Sequence, residues 1–439
     1  MRGQSPRSNV AMQKCGAFNP SGLVAKEDDM RLKGWVAGTL AAVLLLGLAV
    51  LPAMAADVIR IGGTCDRTGA TKNVGVEICP GLTDYIALVN KKGGVLGHKL
   101  EYTEIEHGYT VDRGVEAYER LKRDGTVATL DYGTPIVYAL TPRHMDDKIP
   151  AITPGFGRAD SIDGEAWPYI FPMAASYWSQ AGAAMKYIRD NGAKKGTKVA
   201  YLYFDNPAGR EGIPIMETVA KKEGYELRLF AVPPPGVEMG PQVIDITRRF
   251  RADWVVGHLF GQAPSVSIKE LKRAGFPMSR VVSFVWGAGE ANIEAAGWDT
   301  AQGYIGMQFT SVGRSLPVIQ EIMQKVYKDE GKEVPKYVGG VYYSRGVLNG
   351  AILAEGVRLA IQNFGLPVTG DKVRKGFESI KNFDLQGFLP PLTVNPKDHE
   401  GGGWVRMYQV KGTEWVPITD WIRGYRDEVM AMVKTANKK

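Results

Sequence analysis

Val127 to Asp160 reads VATLDYGTPIVYALTPRHMDDKIPAITPGFGRAD, and the reading of this stretch decides the fold. Two short apolar runs, Val127 to Tyr132 and Ile149 to Thr153, flank a segment with helical spacing through Tyr138 and Leu140, which predicts two parallel strands joined by a helix. Each strand ends in a glycine-bearing loop at the same edge of a sheet: Tyr132, Gly133 and Thr134 after the first, Gly155, Phe156 and Gly157 after the second. Thr134 and Pro135 supply an N-cap hydroxyl and a first-turn proline for the helix. Its unpaired N–H groups, its dipole and the Thr134 hydroxyl suit a carboxylate or similar anion. The small residues of the second loop let backbone approach a ligand closely. Two ordinary βα turns would carry the same pattern.

The alternation extends in both directions. Val58 to Gly63 reads as a strand, Gly62 to Gly75 as a Gly/Thr/Asn loop, Gly81 to Asn90 as a helix, and Lys99 to Ile105 as the next strand. Helices Val111 to Arg123 and Pro135 to Asp146 precede the two strands of the opening stretch. After a strand at Tyr169 to Met173 a second series begins. It runs through helix Ser179 to Asn191, strand Lys198 to Phe204, helix Gly212 to Glu223, strand Tyr225 to Phe230, helix Pro241 to Arg251, strand Trp254 to Leu259, helix Pro264 to Ala274 and strand Arg280 to Phe284. Strands spaced by helices imply α/β architecture with doubly wound parallel sheets, and 439 residues with 44% hydrophobic content suffice for two such lobes. Helix Val341 to Asn363 and strand Trp404 to Val410 come too late to belong simply to the second lobe, so the chain crosses between lobes more than once.

Residues 1 to 29 show no periodicity. From Met30 a leader begins: Arg31 and Lys33, an apolar run from Trp35 to Leu51, then Ala53-Met54-Ala55, the pattern of a cleaved secretory signal, with an uncleaved membrane anchor as the alternative. Residues 1 to 55 hold six basic and three acidic side chains, so the formal charge of +7 becomes +4 for the exported part. Without a concentrated basic cluster, this balance argues for solubility rather than nucleic-acid binding. Cys65 and Cys79 remain in an oxidising compartment. They read as a disulfide or as two isolated thiols, since spacing does not give the Cα separation.

Three stretches carry a resemblance to a known family: Thr68-Gly69 followed by VNKKGGVLGHKLE (Val89 to Glu101), DGTVATLDYGTP with KIPAITP, and RADWVVGHLFGQAPSVSIKELKRAGF (Arg251 to Phe276). The chain from about Asp57 to Ile418 resembles the type I periplasmic solute-binding proteins of the branched-chain amino-acid (Leu/Ile/Val) group, the receptors of ABC importers. The resemblance implies two doubly wound parallel-sheet lobes joined by three crossovers, near Met173 to Ser176, Met307 to Thr310 and Leu392 to Asn395. Residues 56–174 and 309–391 would form lobe 1, and 175–308 with 392–439 lobe 2. It further implies a periplasmic monomer that encloses a small-molecule ligand by lobe closure and docks on ABC transporter permease subunits.

Carried over position by position, the family site departs from that of the amino-acid receptors. Thr134 matches the hydroxyl residue that holds the ligand α-carboxylate, and Gly155 and Gly157 keep backbone contact while a second hydroxyl is lost. Phe260 matches the family aromatic of the second lobe. The acid that pairs with the α-ammonium aligns with Ala288, and Glu290, two residues on, would need a shifted loop to replace it. A buried ammonium without a carboxylate partner costs several kcal/mol, so an α-amino acid is disfavoured. Tyr132, Phe156, Tyr177, Trp178, Phe260 and Trp286 sit at or beside cleft-facing loops and suit an apolar or aromatic carboxylate, although each ring could equally pack at a lobe surface. Gly209 stands where the family carries a tyrosine and leaves room that a larger ligand, a water or Arg210 could occupy. Asp205 and Glu211, bracketing Asn206 to Arg210, could contact a cation or a ligand hydroxyl, or cap helices.

Catalytic motifs do not emerge. G-x-S-x-G and G-x-x-x-x-G-K-[ST] are absent, IGGTCDRTGA fails the dinucleotide spacing, and five scattered histidines lack metal-ligand spacing. A binding protein with no cofactor and no metal is therefore expected. A ligand-sensing subunit of a signalling receptor, a receptor for branched-chain or other amino acids, and a periplasmic enzyme on the same scaffold are the alternatives.

Overall fold

The computed structural model describes residues 58–438; the leader, its Ala53-Met54-Ala55 site and the anchor alternative lie outside the described residues. Five parallel strands make the first sheet: β1 (Ile59–Cys65), β2 (Leu100–Glu106), β3 (Thr129–Leu130), β4 (Ala151–Ile152) and β5 (Ile170–Phe171), in the order β2-β1-β3-β4-β5. Helices α1 (Lys72–Lys91), α2 (Val111–Arg123) and α3 (Thr134–Asp147) connect them. The register places Gly62 opposite Thr129, Thr129 opposite Ala151 and Ala151 opposite Ile170, so the loops after β1, β3 and β4 emerge side by side at the C-terminal edge.

Helix α4 (Tyr177–Asp190) then opens the second series. Its sheet has the order β12-β11-β10-β9-β8-β6-β7. The strands β6 (Lys198–Phe204), β7 (Glu226–Val232), β8 (Trp254–His258), β9 (Val281–Ser283) and β10 (Ile305–Gln308) are parallel, whereas β11 (Arg406–Lys411) and β12 (Glu414–Pro417) add an antiparallel flap. Helices α5 (Ile213–Glu223), α6 (Ala263–Arg273) and α7 (Glu290–Ala296) belong to this series. After β10 the chain returns to pack α8 (Val341–Phe364) against α1, then goes back to supply β11 and β12. The chain thus passes between the sheets after β5, after β10 and before β11. The two parallel-sheet lobes are those expected from the alternation, and the three crossovers are those the family resemblance implies. Among the described residues, no helix is long and apolar enough to cross a membrane.

Helices α1 and α8 approach closely because small residues meet at their crossing. A Cβ on Gly81 would lie 2.2 Å from the Tyr343 carbonyl oxygen, and one on Gly346 would lie 1.9 Å from that of Ile78. The same helix corrects an expectation: α1 starts at Lys72, well before Gly81, and carries Pro80 within it. Cys65 at the end of β1 is disulfide-bonded to Cys79 in α1, with Cα atoms 6.4 Å apart, inside the usual range. The bond staples the first cleft loop at both ends.

Candidate ligand-binding cleft

Thr134 is the first residue of α3 rather than its N-cap; the cap is Gly133, with φ 99°. A left-handed residue there turns the chain sharply, and a Cβ would strike the Tyr109 ring at 2.7 Å. One step inside the helix, the Thr134 side chain is fully buried beside the cavity rather than in its lining. It accepts from the Gly157 N–H at 3.2 Å and donates to the Tyr177 hydroxyl of the other lobe at 3.3 Å.

Around this point the C-terminal edges of the two sheets face each other. Thr71, Val74, Tyr109, Tyr132 and Phe156 come from the first lobe, Tyr177, Phe260 and Trp286 from the second, and together they line a cavity of about 10 Å³. That is scarcely the space of one water, so the rings fill the cleft themselves and a ligand enters only when they part. Phe156 and Trp286 stack, Tyr132 lies 5.2 Å from Phe156, and Tyr109 lies 6.2 Å from Phe260, centroid to centroid. No charged side chain lines this cavity. Burial holds the Tyr109, Tyr132 and Tyr177 hydroxyls well above the ordinary phenol range, so all three are neutral donors at physiological pH. Larger hollows lie elsewhere. One of 590 Å³ opens among Lys194, Trp254, Phe276 and Arg280 at the opposite, N-terminal ends of β6, β8 and β9, away from the edge where such folds take ligands.

The remaining residues singled out from sequence are placed differently. Trp178 does not line the cavity; its indole N–H donates to the Glu211 carbonyl at 2.8 Å. Asp205 is exposed and ion-paired with Arg210, which also keeps Arg210 from the cleft. Ala288 is fully buried and faces the sheet, where a Cβ on Gly306 would lie 2.5 Å from its own. An acid at that position would have to displace β10. Glu290 accepts from the Val341 N–H at 3.0 and 3.2 Å and so caps α8. The room expected at Gly209 is filled by the chain itself, since a Cβ there would meet the Phe204 carbonyl oxygen at 2.1 Å.

Two further groups stand behind the rings. Arg345 is fully buried, donates to the Val285 carbonyl at 2.8 Å and to Gln308 Oε1, and holds its guanidinium 5.0 Å from the Trp286 ring. Burial lowers it to about 10, so it stays charged at neutral pH and fixes the wall behind the indole. His258 packs 4.3 Å from the Tyr177 ring, with its Nδ1 2.8 Å from the Tyr201 hydroxyl. Burial drives it down to about 3 and keeps it neutral.

Glu211 reaches across the cleft. Its Oε1 accepts from the Ala159 N–H of the first lobe, and its Oε2 is shielded from solvent without a partner. Thr71, Val74 and Tyr109 were not picked out from sequence, although they follow β1 and β2 at the same sheet edge as Gly133, the one signal that could have found them.

The chain matches a family model described as periplasmic binding protein over residues 58–414. Among solved structures it is similar to an ABC transporter permease, as that structure is described, from the Pseudomonas fluorescens group. The two are 32% identical, with TM-score 0.80, over 87% of this chain and 96% of that one. A branched-chain amino-acid ABC transporter from Thermus thermophilus with bound valine shares 21% identity and TM-score 0.75, over 86% of this chain and 99% of that one. A fatty acid ABC transporter substrate-binding protein from Thermomonospora curvata shares 18% identity and TM-score 0.72, over 85% and 94% respectively. No curated protein sequence matches the chain.

Proposed function

Because this chain belongs to the periplasmic binding protein family, as its match over residues 58–414 shows, we propose that it captures a small organic carboxylate of aromatic or apolar body between its lobes. It acts in the periplasm as a monomeric receptor, delivers the ligand to the permease subunits of an ABC importer, and catalyses no reaction. The observation that carries this reading is the cavity itself: six aromatic side chains from both lobes and a fringe of neutral hydroxyls, with no charged side chain in its lining. An apolar body gains from such walls by burial and ring contact.

The polar end of the ligand is assigned to Thr134 and the Gly155–Gly157 loop, where a hydroxyl and backbone N–H groups lie together in a water-poor site. An α-ammonium lacks a counter-ion, since Ala288 faces the sheet and Glu290 is spent on the start of α8. Two of the similar solved structures differ in what their descriptions name, valine in one and fatty acid in the other; the lining favours the second kind. A thermal-shift screen of the exported chain tests the reading, with benzoate, phenylacetate and 3-phenylpropionate set against leucine, isoleucine and valine. The aromatic acids should give the larger rises in melting temperature. Larger rises with the amino acids would overturn the ligand class.

A further inference from the structure

Glu211 sits on the short connection between β6 and α5, yet its carboxyl group is built into the opposite lobe. Oε1 accepts from the Ala159 N–H. Oε2 lies 2.1 Å from where a Cβ on Gly157 would be, and that same point lies 2.7 Å from Thr134 Cγ2. The second oxygen therefore rests on the bare face of Gly157 beside Thr134, where the ligand carboxylate has been assigned, and it is shielded from solvent with no partner. A carboxylate held there in ionised form would leave charge desolvated and unpaired.

The surroundings do not neutralise it. Arg158 is turned onto Asp160, with Nε at 2.7 Å from Oδ1, and lies over the Trp167 ring at 3.6 Å. Asp160 opposes ionisation of Glu211, while Arg158 and the Ala159 N–H favour it less strongly than burial resists it. Tyr138, Tyr177 and Tyr201 are the other titratable groups in its field, all held neutral by burial. Trp178 donates its indole N–H to the Glu211 backbone carbonyl, not to its carboxyl group.

We propose that Glu211 is a specificity-determining residue of the cleft, joining the lobes through the Ala159 amide and presenting its second oxygen to the ligand as a protonated hydrogen-bond donor. A ligand carboxylate then shares that proton across Thr134 and Gly157, whereas a ligand without an acceptor leaves the O–H unmatched. The proton comes from solvent, so closure takes up one proton when Glu211 was ionised in the open form. Burial raises the group from 4.5 to about 8. A raised value means that protonation favours the closed form fully below about pH 4.5 and that this contribution is lost as the pH rises through about 8.

This inference rests on the carboxylate reading for its ligand half only, and the experiment separates the two. Small-angle scattering of the ligand-free exported chain at pH 5.5 and pH 9 should show a smaller radius of gyration at the lower pH. Glu211→Gln should stay compact at both, and Glu211→Ala should stay expanded at both. Calorimetry with phenylacetate in Tris and in borate at pH 9 should show net proton uptake in the wild type and none in Glu211→Gln. Above pH 8 the wild-type affinity should fall about tenfold per pH unit, while that of Glu211→Gln stays flat. A pH-independent radius in the ligand-free protein overturns the latch even if no acid binds. Binding of phenylacetate with proton release, or with none exchanged, overturns the donor role while leaving the carboxylate reading intact.

Discussion

Trp286 of the second lobe lies flat on Phe156 of the first, ring centroids 4.5 Å apart and planes 10° from parallel, and its indole N–H donates to the Gly155 carbonyl at 2.7 Å. One side chain thus carries both a stacking and a polar contact across the cleft. Arg345 and the hydroxyl of Tyr342, which donates to the Trp286 carbonyl at 2.8 Å, keep it in place. Trp286→Ala should weaken ligand binding by about 2 to 4 kcal/mol, the range of a buried aromatic anchor. Trp286→Phe, which keeps a ring but loses the indole N–H, should cost about 1 kcal/mol. Titration calorimetry on the two variants checks the order, and equal affinities in both would dissociate Trp286 from the site.

Gly157 lies under the Glu211 carboxyl, and a methyl group there would fall 2.1 Å from Oε2. Gly157→Ala should leave each lobe folded but wedge the cleft open. Its melting temperature in the absence of ligand should change little, while the compaction on adding ligand seen by small-angle scattering should disappear. The overpacking cost of about 1 to 3 kcal/mol should show as lost affinity. A Gly157→Ala protein that compacts normally would mean that closure takes another route.

Thr134→Val keeps the shape of the side chain and removes its hydroxyl. The Gly157 N–H loses its acceptor and Tyr177 loses its cross-lobe partner, so carboxylate affinity should fall by about 1 to 3 kcal/mol. An unchanged dissociation constant would move the anion subsite elsewhere on the sheet edge.

The Cys65–Cys79 bond closes a short loop of sequence separation 14, for which constraint of the unfolded chain contributes about 3 kcal/mol. The double variant Cys65→Ala, Cys79→Ala should show a loss of that order in equilibrium urea unfolding. Because Thr71 lies inside the stapled loop and lines the cavity, its ligand affinity should fall as well. A double variant as stable as the parent would mean that the native loop is already ordered in the unfolded ensemble.

The parallel lobes were legible because their signals are local and repeated: apolar strand, glycine, capped helix, at nearly constant spacing from Val58 onward. The loops that leave the strand ends follow from that order, and the family resemblance adds which of them face the cleft; of the six rings so singled out, Tyr132, Phe156, Tyr177, Phe260 and Trp286 line one cavity and Trp178 does not. Local rules misplaced two helix starts. Pro80 and Gly81 read as a beginning, yet they lie inside α1, where Gly81 is required by the close approach of α8. Thr134 reads as a cap, yet Gly133 takes that position, because its φ is positive and a Cβ there would strike the Tyr109 ring. What stayed hidden depends on contacts between distant segments. Gly209 reads as room for a ligand, a water or Arg210, yet the Phe204 backbone fills that space, and Glu211 reads equally as a cap or a contact for a cation or ligand hydroxyl, yet it accepts from the Ala159 N–H of the other lobe.

Titration calorimetry of residues 56–439 with phenylacetate and leucine side by side at pH 7 tests most directly whether the cleft selects an aromatic or apolar monocarboxylate over a zwitterion. Tighter binding of phenylacetate, weakened by Trp286→Ala, is the result predicted here. Tighter binding of leucine would contradict it and would require an ammonium partner in the cleft, for which an ionised Glu211 would be the first candidate to test.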